Sequence, residues 1–135
     1  MINIIVITHG DFGAYLIEAA ETIVGAQVEG LKNVSISPRL SFERIRQIIE
    51  ETVKETDFSD GMIFMIDMPG GTPMNVVLPL VKDTDKTAVI CGININMMIS
   101  AFAYRKTLNF ENLIAKILED GKKSICEVKR LLLKK

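Results

Sequence analysis

The chain is predicted to be an α/β protein: an open, mostly parallel sheet of order 2-1-3-4 with helices on both faces. Three observations carry this. Short β-branched runs alternate four times with stretches of helical periodicity, which is the pattern of a parallel sheet with right-handed crossovers. Met62-Ile63-Phe64-Met65-Ile66 is apolar throughout, as a strand covered on both faces must be. For this number of units, the flavodoxin-like strand order is the commonest.

The elements follow in order. Ile2 to Thr8 is a short, β-branched first strand with His9 at its carboxyl end and Gly10 behind it. Asp11 is placed to cap a helix from about 12 to 24, with Phe12, Leu16, Ala20 and Ile23 on its inner face and Gly25 as its stop. Val34 and Ile36 mark a second strand. Ser41 caps a second helix whose inner stripe is Phe42, Ile45, Ile48, Ile49 and Val53. The third strand, Met62 to Ile66, ends at Asp67, and a helix starts near Pro73 and runs to about Val81. Thr87 to Cys91 is the fourth strand, closed by Gly92. Helices over about 96 to 105 and from Asn109 to Gly121 follow. Beyond Gly121, Ile125, Val128, Leu131 and Leu132 are spaced more like a helix than a strand, with a fifth edge or swapped strand as the alternative.

At 135 residues with 48% hydrophobic content, residues 1–135 are expected to form one domain, which buries roughly two-thirds of its unfolded surface. Sixteen basic and seventeen acidic residues give a net charge of −1. That leaves no basic excess for phosphate backbones, so nucleic acid is not an expected partner. Cys91 and Cys126 lie in no CxxC or Cys/His cluster, so no metal is expected. No run of about 18 apolar residues and no signal-peptide pattern is found, so the expected location is cytoplasmic.

Two places carry unusual residues. His9 is the only histidine of the chain. It stands at a strand's carboxyl end, the edge where open α/β sheets bind ligands. An imidazole there can carry a proton or act as a nucleophile, although the same position suits a histidine that merely ties down a loop. The second place is Asp67-Met68-Pro69-Gly70-Gly71-Thr72-Pro73-Met74-Asn75. Its paired glycines allow positive φ, and Thr72 before Pro73 reads as N-cap and first helical position. A Gly-Gly turn into a helix N-terminus suits a phosphate, or serves only as a tight turn. In order 2-1-3-4 the two places meet at the switch point between strands 1 and 3. Asp67 could then accept a hydrogen bond from one imidazole nitrogen and leave the other free to attack. Residues 9–13 and 67–75 hold no Lys or Arg, and no carboxylate cluster is available for Mg²⁺. Such a site can hold a phosphoryl group but is poorly equipped to hydrolyse it. Cations would come from partners, or partly from Arg39.

Thr8-His9-Gly10, Asp67-x-x-Gly70-Gly71-Thr72-Pro73-x-Asn75 and Gly92-Ile93-Asn94-Ile95-x-Met97 together resemble the enzyme IIA domain of the mannose family of the sugar phosphotransferase system (PTS). The likeness runs from about residue 2 to 121 and includes Ala20-Glu21-x-Ile23-x-Gly25. The resemblance implies a phosphotransferase in which His9 accepts a phosphoryl group from the phosphocarrier protein HPr. His9 then passes it to a IIB component, which serves sugar uptake through membrane IIC and IID components. Asp67 resembles the histidine-orienting carboxylate, and Thr72, with the Gly70–Gly71 backbone, resembles the phosphate-binding position. No cofactor is implied. Homodimers with a C-terminal segment at the subunit contact are implied too, and the apolar stretch after Gly121 is available for that contact. The chain departs from the family at Asn96, where proline is usual, and Asn96 is expected to cap the following helix. Rival readings are a phosphotransfer subunit for dihydroxyacetone kinase, a regulatory IIA-like phospho-acceptor module, and, ranked last, a response-regulator receiver with Asp67 as acceptor.

Overall fold

The computed structural model describes residues 1–133, so the last two residues of the expected 1–135 domain lie outside the described residues. The elements are β1 (Asn3–His9), α1 (Phe12–Val24), β2 (Leu31–Ile36), α2 (Phe42–Lys54), β3 (Met62–Ile66), α3 (Gly71–Val81), β4 (Thr87–Cys91), α4 (Ile95–Tyr104), α5 (Phe110–Lys123) and α6 (Val128–Leu133). The four strands form one parallel sheet of order β2-β1-β3-β4, as the alternation predicts.

Alternation along each strand divides the core in two. Ile4 and Val6 of β1 join Ile63 and Met65 of β3 in a cluster under α1, α4 and α5. Ile5 and Ile7 join Phe64 and Ile66 in a second cluster under α2 and α3. β1 and β3 are thus buried on both sides, and each fully buried Ile or Phe contributes roughly 1.5–3 kcal/mol over exposure. Among the described residues, no helix is long and apolar enough to cross a membrane.

Several local expectations are corrected. The Asp11 side chain makes no capping hydrogen bond. The Thr8 hydroxyl does this work from inside the sheet, accepting the Gly13 N–H at 2.7 Å. That bond brings α1 so close that a Cβ at Gly13 would lie 2.7 Å from Asn33 Oδ1. It fixes the helix's rotation: Gly13, Ile17 and Ala20 face inward, whereas Phe12 and Ile23, expected inside, are exposed. Phe42 is exposed too, while Ile45 and Ile49 are buried and Ile48 and Val53 pack beside them. Ser41 caps α2 as expected, its hydroxyl accepting the Arg44 N–H. Asn94, not Asn96, caps α4, accepting the Met97 N–H at 3.1 Å. No fifth edge strand joins this chain's own sheet among the described residues, and Val128–Leu133 is helical. Apolar residues at 128, 131 and 132 follow helical spacing, and Glu127 ties the first turn by accepting the Arg130 N–H.

The sequence gives no sign that Arg105 is only 2% exposed. From the end of α4 its guanidinium spans to the α1–β2 loop, donating to Gln27 Oε1 at 3.1 Å, the Gly30 carbonyl at 2.6 Å and the Glu29 carbonyl at 2.7 Å. Glu21 holds the same loop by accepting the Gln27 N–H at 2.7 Å. Arg105→Leu is expected to cost about 2–4 kcal/mol, because three acceptors lose their donors. Calorimetry should show Tm falling by about 5–15 °C. Arg105→Lys should recover only part, since an ammonium cannot fork to three acceptors.

Candidate active site

The carboxyl ends of β1 and β3 lie side by side, with Ile7 paired to Ile66. His9 is the last residue of β1, and Asp67 directly follows β3. This adjacency lets the two side chains meet. Asp67 Oδ2 accepts the His9 backbone N–H at 2.9 Å and lies 2.9 Å from His9 Nδ1. One carboxylate oxygen thereby fixes both the backbone and the ring of the histidine. The His9 side chain is 50% exposed and that of Asp67 13%. The carboxylate is sheltered and the imidazole looks outward. With Nδ1–H donating to Asp67, the lone pair of Nε2 faces solvent.

The other carboxylate oxygen, Oδ1, is buried and has no hydrogen-bond partner among the described residues. This geometry disfavours Asp67 as a phosphoryl acceptor in the manner of a receiver domain. One oxygen is engaged by His9 and the other is shut away from any incoming donor.

The turn into α3 is tighter than its sequence suggests. Gly70, with φ of 78°, occupies the N-cap position, and Gly71 follows with φ of 79°. Two successive left-handed residues start the helix at Gly71, so Thr72 and Pro73 fall inside its first turn rather than at its cap and first position. Three consequences follow. A Cβ at Gly70 would meet nothing within 4 Å, so glycine stands there for its φ and the space beside it is open. The N–H groups of Gly71 and Thr72 have no acceptor among the described residues, as first-turn donors do not. The Thr72 hydroxyl is likewise unbonded. These donors and the positive end of α3 share the sheet edge with His9, though no hydrogen bond joins them to the imidazole.

Cys91 ends β4 at the same edge, paired with Ile66. Burial first, and then the Asp67 charge, hold its thiol above its ordinary pKa. It therefore stays protonated and is no rival nucleophile. Arg39 is exposed in the turn after β2, where its backbone N–H donates to Ser37 Oγ. Among the described residues no three His, Cys, Asp or Glu side chains gather where a metal could be held. The contribution that residue reading missed is Thr8. Its signal was a hydroxyl in an otherwise apolar strand, and by anchoring α1 it sets the turn that carries His9.

Fold and site together define an α/β protein with one outward-facing imidazole braced by a carboxylate. The sequence profile of the family described as PTS system fructose IIA component matches residues 3–118. The chain thus belongs to the mannose-type IIA components of the phosphotransferase system. It is 28% identical over 129 residues to the PTS system mannose-specific EIIAB component of Escherichia coli strain K12, covering 95% of this chain and 40% of that one. It is 25% identical over 117 residues to the PTS system fructose-specific EIIA component of Bacillus subtilis, covering 84% and 77%. The crystal structure of phosphotransferase system component EIIA from Streptococcus agalactiae superposes with a TM-score of 0.83 at 29% identity, covering 96% of this chain and 98% of that one. The chain spans 40% of the length of the mannose-specific EIIAB relatives.

Proposed function

We propose that residues 1–135 form one IIA domain acting as a phosphocarrier of sugar uptake, with His9 as the residue that carries the phosphoryl group. The observation that supports this most directly is the double hydrogen bond from His9 to Asp67 Oδ2, which leaves Nε2 as the outward nucleophile. In the reaction, the Nε2 lone pair attacks phosphorus in line. An N–P bond forms as the bond from phosphorus to the donor nitrogen of phospho-HPr breaks, and that electron pair leaves with the donor. Asp67 orients the ring and stabilises the positive charge it gains. The N–H groups of Gly71 and Thr72, the Gly70 turn and the Thr72 hydroxyl receive the phosphoryl oxygens. A loose transition state needs positioning and charge stabilisation more than covalent help, so no metal or nucleotide enters. The countercharge is supplied by the partner proteins.

The reverse geometry then passes the group to a IIB component, which serves the membrane IIC and IID components. The carrier works in the cytoplasm and as a homodimer. Phosphorylation adds about −1.5 to −2 charges at this edge, which favours release of the donor and recognition of the acceptor.

The chemistry of the bond tests the reading. After labelling by phospho-HPr, the phosphorylated protein is expected to keep its label in base and lose it in acid, as a phosphoramidate does. A label stripped by basic hydroxylamine would be an acyl phosphate and would move the acceptor to a carboxylate.

A further inference from the structure

Two locally unfavourable residues meet beside His9. Thr8 precedes it in β1, is 0% exposed and shares a strand face with Ile4 and Val6. A valine would continue that apolar row, and a buried hydroxyl costs free energy unless it is hydrogen-bonded. Gly13 lies in the first turn of α1, and glycine is a poor helix residue. One contact accounts for both. The Thr8 hydroxyl accepts the Gly13 N–H at 2.7 Å, and a Cβ at position 13 would lie 2.8 Å from that oxygen. Departures from local preference that converge in this way are expected at functional or strained sites.

The contact closes the loop that carries His9. The same hydroxyl directs its proton at the Gly10 carbonyl, 3.5 Å away, a long and weak contact. One buried oxygen thus reaches both ends of residues 10–13. Gly10, in the left-handed region with φ of 58°, donates its N–H to the Ile36 carbonyl of β2 at 2.8 Å. The His9 N–H donates to Asp67 Oδ2. The backbone around the imidazole is therefore held from β2, from the end of β3 and, through Thr8, from α1.

We infer that Thr8 is a positioning residue for phosphoryl transfer, which holds the His9 backbone where a single ring orientation satisfies Asp67. The inference rests on the reading of His9 as the phosphoryl carrier. Asp67 Oδ2 meets both the backbone N–H and Nδ1 of His9, and it does so only while the chain from His9 to Gly10 keeps its course. Without the hydroxyl, the Gly13 N–H loses its acceptor, α1 loses its attachment at the His9 end, and the loop relaxes. Nε2 then leaves the line of attack, and a misplacement of about 1 Å can cost about 10²-fold in rate. Thr8 makes no hydrogen bond to the ring. It acts through the backbone.

Thr8→Val tests the inference, since it removes the hydroxyl and keeps the volume. Only a neutral hydrogen bond is lost and valine suits a strand, so the variant is expected to fold. Thr8→Ser keeps the hydroxyl. Arg105→Lys controls for lost stability alone, because Arg105 holds the α1–β2 loop at the far end of α1. All are measured below their unfolding range. In single-turnover labelling from phospho-HPr, Thr8→Val is expected to lower the saturating rate about 10–100-fold and to leave the half-saturating donor concentration unchanged. Thr8→Ser and Arg105→Lys should match the parent in both.

A second readout needs no activity. His9 is the only histidine, so the ring-nitrogen NMR signals of isotope-labelled protein belong to it alone. With the imidazole neutral, the parent is expected to show one tautomer, protonated at Nδ1. Thr8→Val should show a mixture, with the two nitrogen signals drawn together, and Thr8→Ser should return them. A parent-level rate in Thr8→Val overturns the proposal, as does a loss no greater than that of Arg105→Lys. A Thr8→Ser variant as slow as Thr8→Val overturns it too, by assigning the effect to packing. Absence of acid-labile label in the parent protein is failure of the His9 reading, whereas ring signals unmoved in Thr8→Val are failure of this inference.

Discussion

His9→Gln is expected to accept no phosphoryl group from phospho-HPr, with label falling to background, while the protein stays folded. The chain has one histidine, so the variant removes every imidazole at once and any remaining label must sit on another residue type. The substitution is structurally mild. The His9 side chain is half exposed, and the backbone N–H at position 9 still reaches Asp67. Stability should therefore change by less than about 1 kcal/mol, as is usual for exposed positions. Paired measurements of acid-labile label and thermal unfolding separate loss of the nucleophile from loss of the fold. Label retained at the parent level would mean that the outward nitrogen of His9 is not the acceptor.

How far the sequence could be read depended on whether local pattern or tertiary contact decided each feature. β3 was legible because five apolar residues in a row can only be covered on both faces. α2 was legible because its polar residues leave a single apolar stripe through Ile45 and Ile49. α1 was not. Phe12, Tyr15, Leu16, Ile17, Ala19, Ala20, Ile23 and Val24 spread apolar surface over more than half of the helix circumference, wider than the buried stripe, so periodicity leaves the exact inward face open. The rotation is set by the Thr8–Gly13 bond, which joins residues from two different elements. Arg105 was missed for a related reason. Arginine is almost always exposed, and nothing local announces that three acceptors in a distant loop will converge on one. The site was more legible than these details because topology carries it. Order 2-1-3-4 places the ends of β1 and β3 side by side whatever the helices do. The helix start at Gly71 departed from expectation because capping rules assign Thr72 to the cap, whereas two successive left-handed glycines move the helix earlier.

Asp67→Asn should slow phosphoryl transfer to His9 by about 10²–10⁴-fold, the range over which imidazole-orienting groups act. The carboxylate has two tasks at one oxygen, holding the backbone N–H and Nδ1 of His9. An amide keeps the shape and can keep one acceptor. It removes the negative charge that stabilises an imidazolium-like phosphorylated ring, and its NH₂ group can donate to Nδ1, which turns the Nε2 lone pair into an N–H. The fold should lose only a little: a neutral group is cheaper to bury than a charged one, but the new NH₂ either takes the buried, partnerless place of Oδ1 or faces the His9 backbone N–H, which leaves one donor unsatisfied. Unfolding measurements should therefore show the variant less stable than the parent by no more than about 1–3 kcal/mol. Single-turnover labelling from phospho-HPr is the measurement that decides. A slow rate with full final label would assign Asp67 to orienting the ring. An undiminished rate would show that the carboxylate only pins the β1 terminus and contributes nothing to the chemistry.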